Sequence, residues 1–154
     1  MQRKYERLRE AAYKQGLAEY EALIREPTFR DFVVLYIAEG YKRNRNRIAI
    51  GNSDPQVVAV SARWLRRLTD KRLTFAVQYH ADQRIEHLRA FWSEILGIEG
   101  STISLQRQSN SAQLAGRTWR CKHGVLTVTA GDTLLRARLQ AWMDRTKQDW
   151  GYTS

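Results

Sequence analysis

The segment FRDFVVLYIAEG, residues 29–40, carries apolar side chains on more than one face of any helix it forms: Phe29, Phe32, Val33, Val34, Leu35, Tyr36, Ile37 and Ala38. A helix with so little polar surface must be covered on several sides. The pattern predicts a helix over Phe29 to Glu39, enclosed between a sheet and something else. Pro27 ends the element before it, and Thr28 is placed to cap the new helix.

The remaining chain supplies candidates for that enclosure. Residues 3 to 26 read as a helix, with Tyr5, Leu8, Ala12, Tyr20, Leu23 and Ile24 near helical spacing. A strand from Arg47 to Gly51 runs into the turn NSDP, with Asp54 as N-cap and Pro55 at the first helical position. The helix Gln56 to Leu68 collects Val57, Val60, Trp64, Leu65 and Leu68 on one side, and Arg63, Arg66 and Arg67 on the other. In LTFAVQYH, Phe75, Val77 and Tyr79 alternate with Thr74, Ala76, Gln78 and His80, as in a strand with one covered and one polar face.

Asp82 is expected to cap a further helix, striped with Ile85, Leu88, Phe91, Trp92 and Ile95 and ended by Gly97. TISLQRQ and HGVLTVTA read as two strands joined by a long polar connection. The final helix runs from about Asp132 to Asp149. The order predicts an α+β fold: a mostly antiparallel sheet, helices on one face, and a polar open face that carries the basic residues. Residues 28–150 are expected to form the domain, and residues 1–27 an N-terminal basic, amphipathic helix.

Charge narrows the partners. Against 16 Asp+Glu stand 26 Lys+Arg, a formal net charge of +10. This favours polyanions, nucleic acid before anionic membrane. Phe32 to Ala38 is far too short to span a bilayer, and MQRKYERLRE lacks the apolar core of a signal peptide. The single cysteine, Cys121, excludes a disulfide within the chain and fits a reducing cytoplasm. Cys121 and His123 are too few ligands for a zinc site, and His80, His87 and His123 have no metal-ligand spacing.

The basic residues cluster in two stretches. After Gly40 come Lys42, Arg43, Arg45 and Arg47, interleaved with Asn44 and Asn46 and with no acid among them. Arginine and asparagine suit phosphates and base edges alike, and Tyr41 beside them is a candidate contact. The second stretch, from Ser101 to Gly131, holds Arg107, Arg117, Arg120 and Lys122 and again no acid. Gln106 and Gln108 add amides of the kind that read adenine, while Gln78 and His80 belong to the polar sheet face. Glu39 stands apart. An acid at a helix C-terminus is disfavoured by roughly 0.3–1 kcal/mol, a mild argument that this one has a task.

FVVLYIAEG, Phe32 to Gly40, resembles the nine-residue LAGLIDADG motif of homing endonucleases. The following NSDP, the Trp-bearing helices and the terminal VLTVTAGDTLLRARLQAW look like a bacterial branch of that superfamily, so the resemblance covers residues 28 to 147. It implies a saddle-shaped sheet that lies on DNA. It implies a motif helix packed on its twin from a second copy, through Val33, Val34, Ile37 and Ala38. Glu39 and Gly40 would then hold Mg²⁺ or Mn²⁺ at the scissile phosphate, where the metal activates water and neutralises charge.

One motif implies a homodimer on a pseudo-palindromic duplex site. Asn52 matches a position where a polar residue places active-site water, and Arg145 or Lys147 matches a basic residue that assists. The chain departs from the family at Val34, where a small residue is usual, and at Glu39, where Asp is common. Three functions follow as expectations: a site-specific, metal-dependent double-strand DNA endonuclease, a non-cutting DNA-binding regulator, or an RNA-binding intron maturase. Glu39 points to the first and Val34 to the second, while only ligand preference separates the third.

Overall fold

The computed structural model describes residues 2–107 and 122–151. Along the chain lie α1 (Gln2–Leu23), α2 (Phe29–Glu39), β1 (Ile48–Asn52), α3 (Pro55–Leu68), β2 (Leu73–Tyr79), α4 (Ile85–Leu96), β3 (Ile103–Arg107), β4 (Val125–Ala130) and α5 (Thr133–Asp149), with a short 3-10 turn at Gly100–Thr102. The class is α+β, and the order of elements matches the expectation. Local chemistry accounts for several boundaries. The Asp54 side chain accepts from the Gln56 N–H with Pro55 at N1, and Gly97 ends α4 in the left-handed region.

The four strands form one sheet in the order β1-β4-β2-β3. β4 is antiparallel to both β1 and β2, while β2 and β3 are parallel, so the sheet is mixed and, as expected, mostly antiparallel. The cause of the parallel pair is α4. It carries the chain back between the two strands, so β3 starts at the same end as β2 and pairs from Phe75–Ile103 to Tyr79–Arg107.

The register aligns Ile50, Val128, Phe75 and Ile103 in one row across all four strands, all of them in the hydrophobic core. Each such side chain contributes roughly 2 kcal/mol on leaving water. The opposite face carries Thr74, Gln78, Ser104, Gln106, Thr127 and Thr129. It is polar but neutral. The expectation that it would bear the basic residues is not met, because among the described strand residues only Arg107 is basic, and its position in the alternation is that of the covered face. The cations lie in the segments that flank the strands.

α2 is enclosed by this one chain. Phe29, Phe32, Val33 and Tyr36 are fully buried against α3, α5 and β1. The Phe29 ring meets Trp64 edge-on at 5.2 Å and Trp142 at 5.1 Å. Val33, expected at a dimer interface, is therefore a core residue. Val34 and Ile37 stay half-buried and Ala38 exposed, a short strip along the outer side of α2. Thr28 stands at the N-cap position, where its carbonyl accepts the Phe32 N–H at 2.9 Å, but its side chain does not cap the helix. It adopts φ 69° and its hydroxyl accepts from the Trp64 indole N–H at 2.8 Å.

α1 packs along α5. A Cβ on Gly16 would lie 2.8 Å from the Arg138 carbonyl, a measure of how closely the helices approach. The Trp142 indole N–H donates to the Gly16 carbonyl at 3.0 Å, and the Tyr20 and Thr146 hydroxyls bond at 2.8 Å. Arg138 grips Glu19 with two bonds of 2.7 and 3.1 Å. Tyr5 and Leu8, expected on the buried stripe, are exposed at the outer end of α1. No helix among the described residues is long and apolar enough to cross a membrane.

Candidate nucleic-acid interface

The segment after α2 is fastened to the edge of the sheet by one side chain. The Tyr36 hydroxyl donates to the Tyr41 carbonyl at 2.6 Å and accepts from the Ala49 N–H at 3.2 Å. Tyr41 N–H in turn donates to the Ala49 carbonyl at 2.8 Å, and Gly40 forms a β-bridge with Ile50. A Cβ on Gly40 would fall 2.5 Å from the Tyr36 ring, so glycine is required here by closeness. Burial raises the Tyr36 pKa above the usual tyrosine value, against the opposing influence of the Ala49 hydrogen bond and of Arg136 and Arg47. The hydroxyl thus stays a neutral donor.

Glu39 is exposed, and its carboxylate has no hydrogen bond or ion pair among the described residues. Beside it, the Lys42 ammonium donates to the Gly40 carbonyl at 2.7 Å and the Ile37 carbonyl at 2.9 Å, and reaches the Tyr36 carbonyl at 3.5 Å. The Tyr36 carbonyl already accepts the Gly40 N–H at 2.9 Å, so the ammonium chiefly serves the Ile37 and Gly40 carbonyls at the end of α2; Lys42 thereby caps the helix and offsets the unfavourable position of Glu39. A dication held by Glu39 and Gly40 together would lie against that ammonium. The Gly40 carbonyl that the resemblance gives to the metal is held by that ammonium, so a dication there requires Lys42 to leave it. The same bonds occupy Lys42, which is then not a free phosphate contact.

The other expected catalytic residues have different surroundings. Asn52 lies two residues past the Gly40–Ile50 bridge, near the end of α2. Its side-chain oxygen accepts from the Asp54 N–H at 2.9 Å and shapes the turn into α3. Lys147 is exposed near the end of α5, three turns or about 16 Å beyond the part of that helix that meets residues 41–46. The α5 cation that does meet them is Arg136, whose guanidinium donates to the Lys42 carbonyl at 3.3 Å.

Within the basic strip, Arg43 and Arg45 are exposed and make no hydrogen bond or ion pair among the described residues. Arg47 lies over the Tyr41 ring at 4.9 Å. The asparagines hold the loop: Asn44 accepts from the Asn46 N–H at 2.7 Å, and Asn46 from the Thr133 hydroxyl at 3.4 Å. Their side-chain oxygens are engaged within the fold rather than free for base edges.

A second set of candidates lies at the far end of the sheet. Gln78 and Gln106 are register neighbours, both exposed on the open face, with Arg107 exposed next to them. Lys122 is exposed and its carbonyl accepts from Gln83 at 2.8 Å. His80, expected as a contact, is 7% exposed. It turns inward as β2 ends, its N–H bonded to the Gln83 side chain at 2.7 Å. Gln108, Arg117 and Arg120 lie outside the described residues. The two sets sit at opposite ends of the strands, about 17 Å apart along β2.

Arg136 is the residue that sequence reasoning missed. It falls three residues before Leu139 and seven before Met143, both buried, so helical spacing alone assigns it to the inner face of α5. No family model, curated protein or solved structure matches this chain.

Proposed function

We propose that the chain binds duplex DNA and does not cut it. The observation that carries this reading is the Lys42 ammonium on the Gly40 carbonyl, where hydrolysis would need a divalent ion. Charge supports the binding half. Arg43 and Arg45 are exposed and unpaired among the described residues, at one end of a neutral face of hydroxyls and amides. Arg107 and Lys122 lie at the other end. The two groups are about 17 Å apart along the strands and lie at opposite edges of the sheet, so together they can meet phosphates on both sides of a groove that Gln78 and Gln106 face.

A second reading keeps cleavage. Glu39 is exposed and unpaired among the described residues, the condition for a carboxylate that meets a metal together with its counterpart from a second copy packed on Val34, Ile37 and Ala38. It requires Lys42 to leave the end of α2.

Selection of bound duplexes from a random library in Ca²⁺, followed by Mg²⁺ or Mn²⁺, separates the two. The first reading predicts an enriched motif that stays intact and is bound equally by Glu39→Gln. Cleavage that Glu39→Gln abolishes would replace it with the second. Enrichment of single-stranded RNA over duplex in a parallel selection would displace both.

A further inference from the structure

Between α1, residues 41–45 and α5 lies a cavity of about 770 Å³ lined by five cations, Arg9, Lys42, Arg43, Arg45 and Arg136, against one carboxylate, Glu10. Its size is that of a small-molecule site. The lining is unusual in one respect. Arg136 is only 5% exposed, yet its partners among the described residues are the neutral Gln140 side chain at 3.0 Å and the Lys42 carbonyl at 3.3 Å. Its Nε–H is buried and has no partner. Arg138, two residues further along the same helix, shows the ordinary solution, a fork closed by Glu19. A buried guanidinium without a carboxylate is costly unless an anion completes it.

We propose that this cavity binds a phosphate monoester of mononucleotide size, with Arg136 as its buried counter-charge. Three guanidiniums besides Arg136 present planar forks that match phosphate oxygens two at a time. Tyr13 and Tyr41 line the same space, aromatic residues suited to a base or sugar. Tyr13 is held in place by its hydroxyl bond to Asp144 at 2.8 Å. A dianion with several oxygens answers this lining better than a carboxylate, which would leave most of the cations unmatched. The site shares Arg43 and Arg45 with the proposed duplex contact but does not require it, because a mononucleotide can fill the cavity with no duplex present.

Thermal unfolding and titration calorimetry of the full chain test this with a nucleoside 5′-monophosphate, the matching nucleoside and inorganic phosphate, at matched ionic strength. The monophosphate should raise the melting temperature by mass action, phosphate should do so less, and the nucleoside not at all. Arg136→Met should weaken monophosphate binding by about tenfold or more, the loss of a charged hydrogen bond. Arg45→Ala, on the exposed rim and harmless to the fold, should weaken it in the same direction and covers the case in which Arg136→Met does not fold. Equal responses to nucleoside and monophosphate, or unchanged affinity in Arg45→Ala and in a folded Arg136→Met, would overturn the proposal. Oligonucleotides with and without a 5′-phosphate assign the source: tighter binding of the phosphorylated one identifies a nucleic-acid end, and equal binding beside a monophosphate response identifies a free nucleotide.

Discussion

The Lys42 ammonium lies 2.7 Å from the Gly40 carbonyl, and with the Ile37 carbonyl at 2.9 Å it closes the C-terminus of α2. The sequence gives Glu39 an electrostatically poor position, and Lys42, three residues later, supplies the positive charge that a helix end favours. Lys42→Met keeps the length of the side chain and removes the charge. It should lower stability by about 1 kcal/mol, seen as an earlier urea midpoint at constant slope. No change would show that solvent serves the same carbonyls equally well.

Tyr36 ties three backbone segments together through one hydroxyl. Tyr36→Phe leaves the Tyr41 carbonyl and the Ala49 N–H without that partner and should cost about 1–3 kcal/mol. The same residue sets an alkaline limit. Its folded-state pKa is raised above the ordinary 10.0, chiefly by burial, so its contribution is complete below that pH and is lost as pH rises through the folded value. Tyr36→Phe should therefore flatten the alkaline end of a stability–pH profile, measured by chemical unfolding. An unchanged alkaline slope would assign the loss to other groups.

His123 stacks face to face on Phe91, with centroids 3.7 Å apart and planes at 6°. Desolvation and then Lys122 hold its pKa below the ordinary 6.5. A depressed histidine favours the neutral fold, so this contribution is present above pH 6.5 and is lost as pH falls through the lower folded value. Melting temperature should drop from neutral to mildly acidic pH, and less steeply in His123→Phe. Parallel profiles for the two proteins would remove His123 from the acid response.

Element order and one-sided burial were legible in the sequence because they rest on local periodicity. Phe29–Glu39 forms the helix the pattern predicts, and the LTFAVQYH alternation separates the covered Phe75 and Val77 from the exposed Gln78. Pairing was not legible. Alternation says which face a residue takes but not which strand lies beside it, and the parallel β2–β3 pair follows from the path of α4.

Residue roles failed where long-range partners decide them. Val33 lies on an apolar helix whose covering elements, α3 and α5, come much later in the chain. His80 continues the polar phase of β2, but the strand ends at Tyr79 and the side chain turns inward. Lys42 and Asn52 have the right chemistry for a site, yet nearby backbone groups claim them first. Arg136 was hidden by its type, since an arginine on a mixed helix is ordinarily read as outward-facing.

The proposed duplex binding rests on Arg43 and Arg45, exposed and unpaired among the described residues, gripping backbone phosphates. Its most direct test is the dependence of duplex affinity on salt for the native chain and for the double variant Arg43→Gln with Arg45→Gln. Each phosphate contact contributes about 0.9 to the slope of log affinity against log salt concentration. The native chain should show a steep negative slope, and the double variant one shallower by about 2, with its fold intact by circular dichroism. A flat native response, or the same slope in both proteins, would contradict the account.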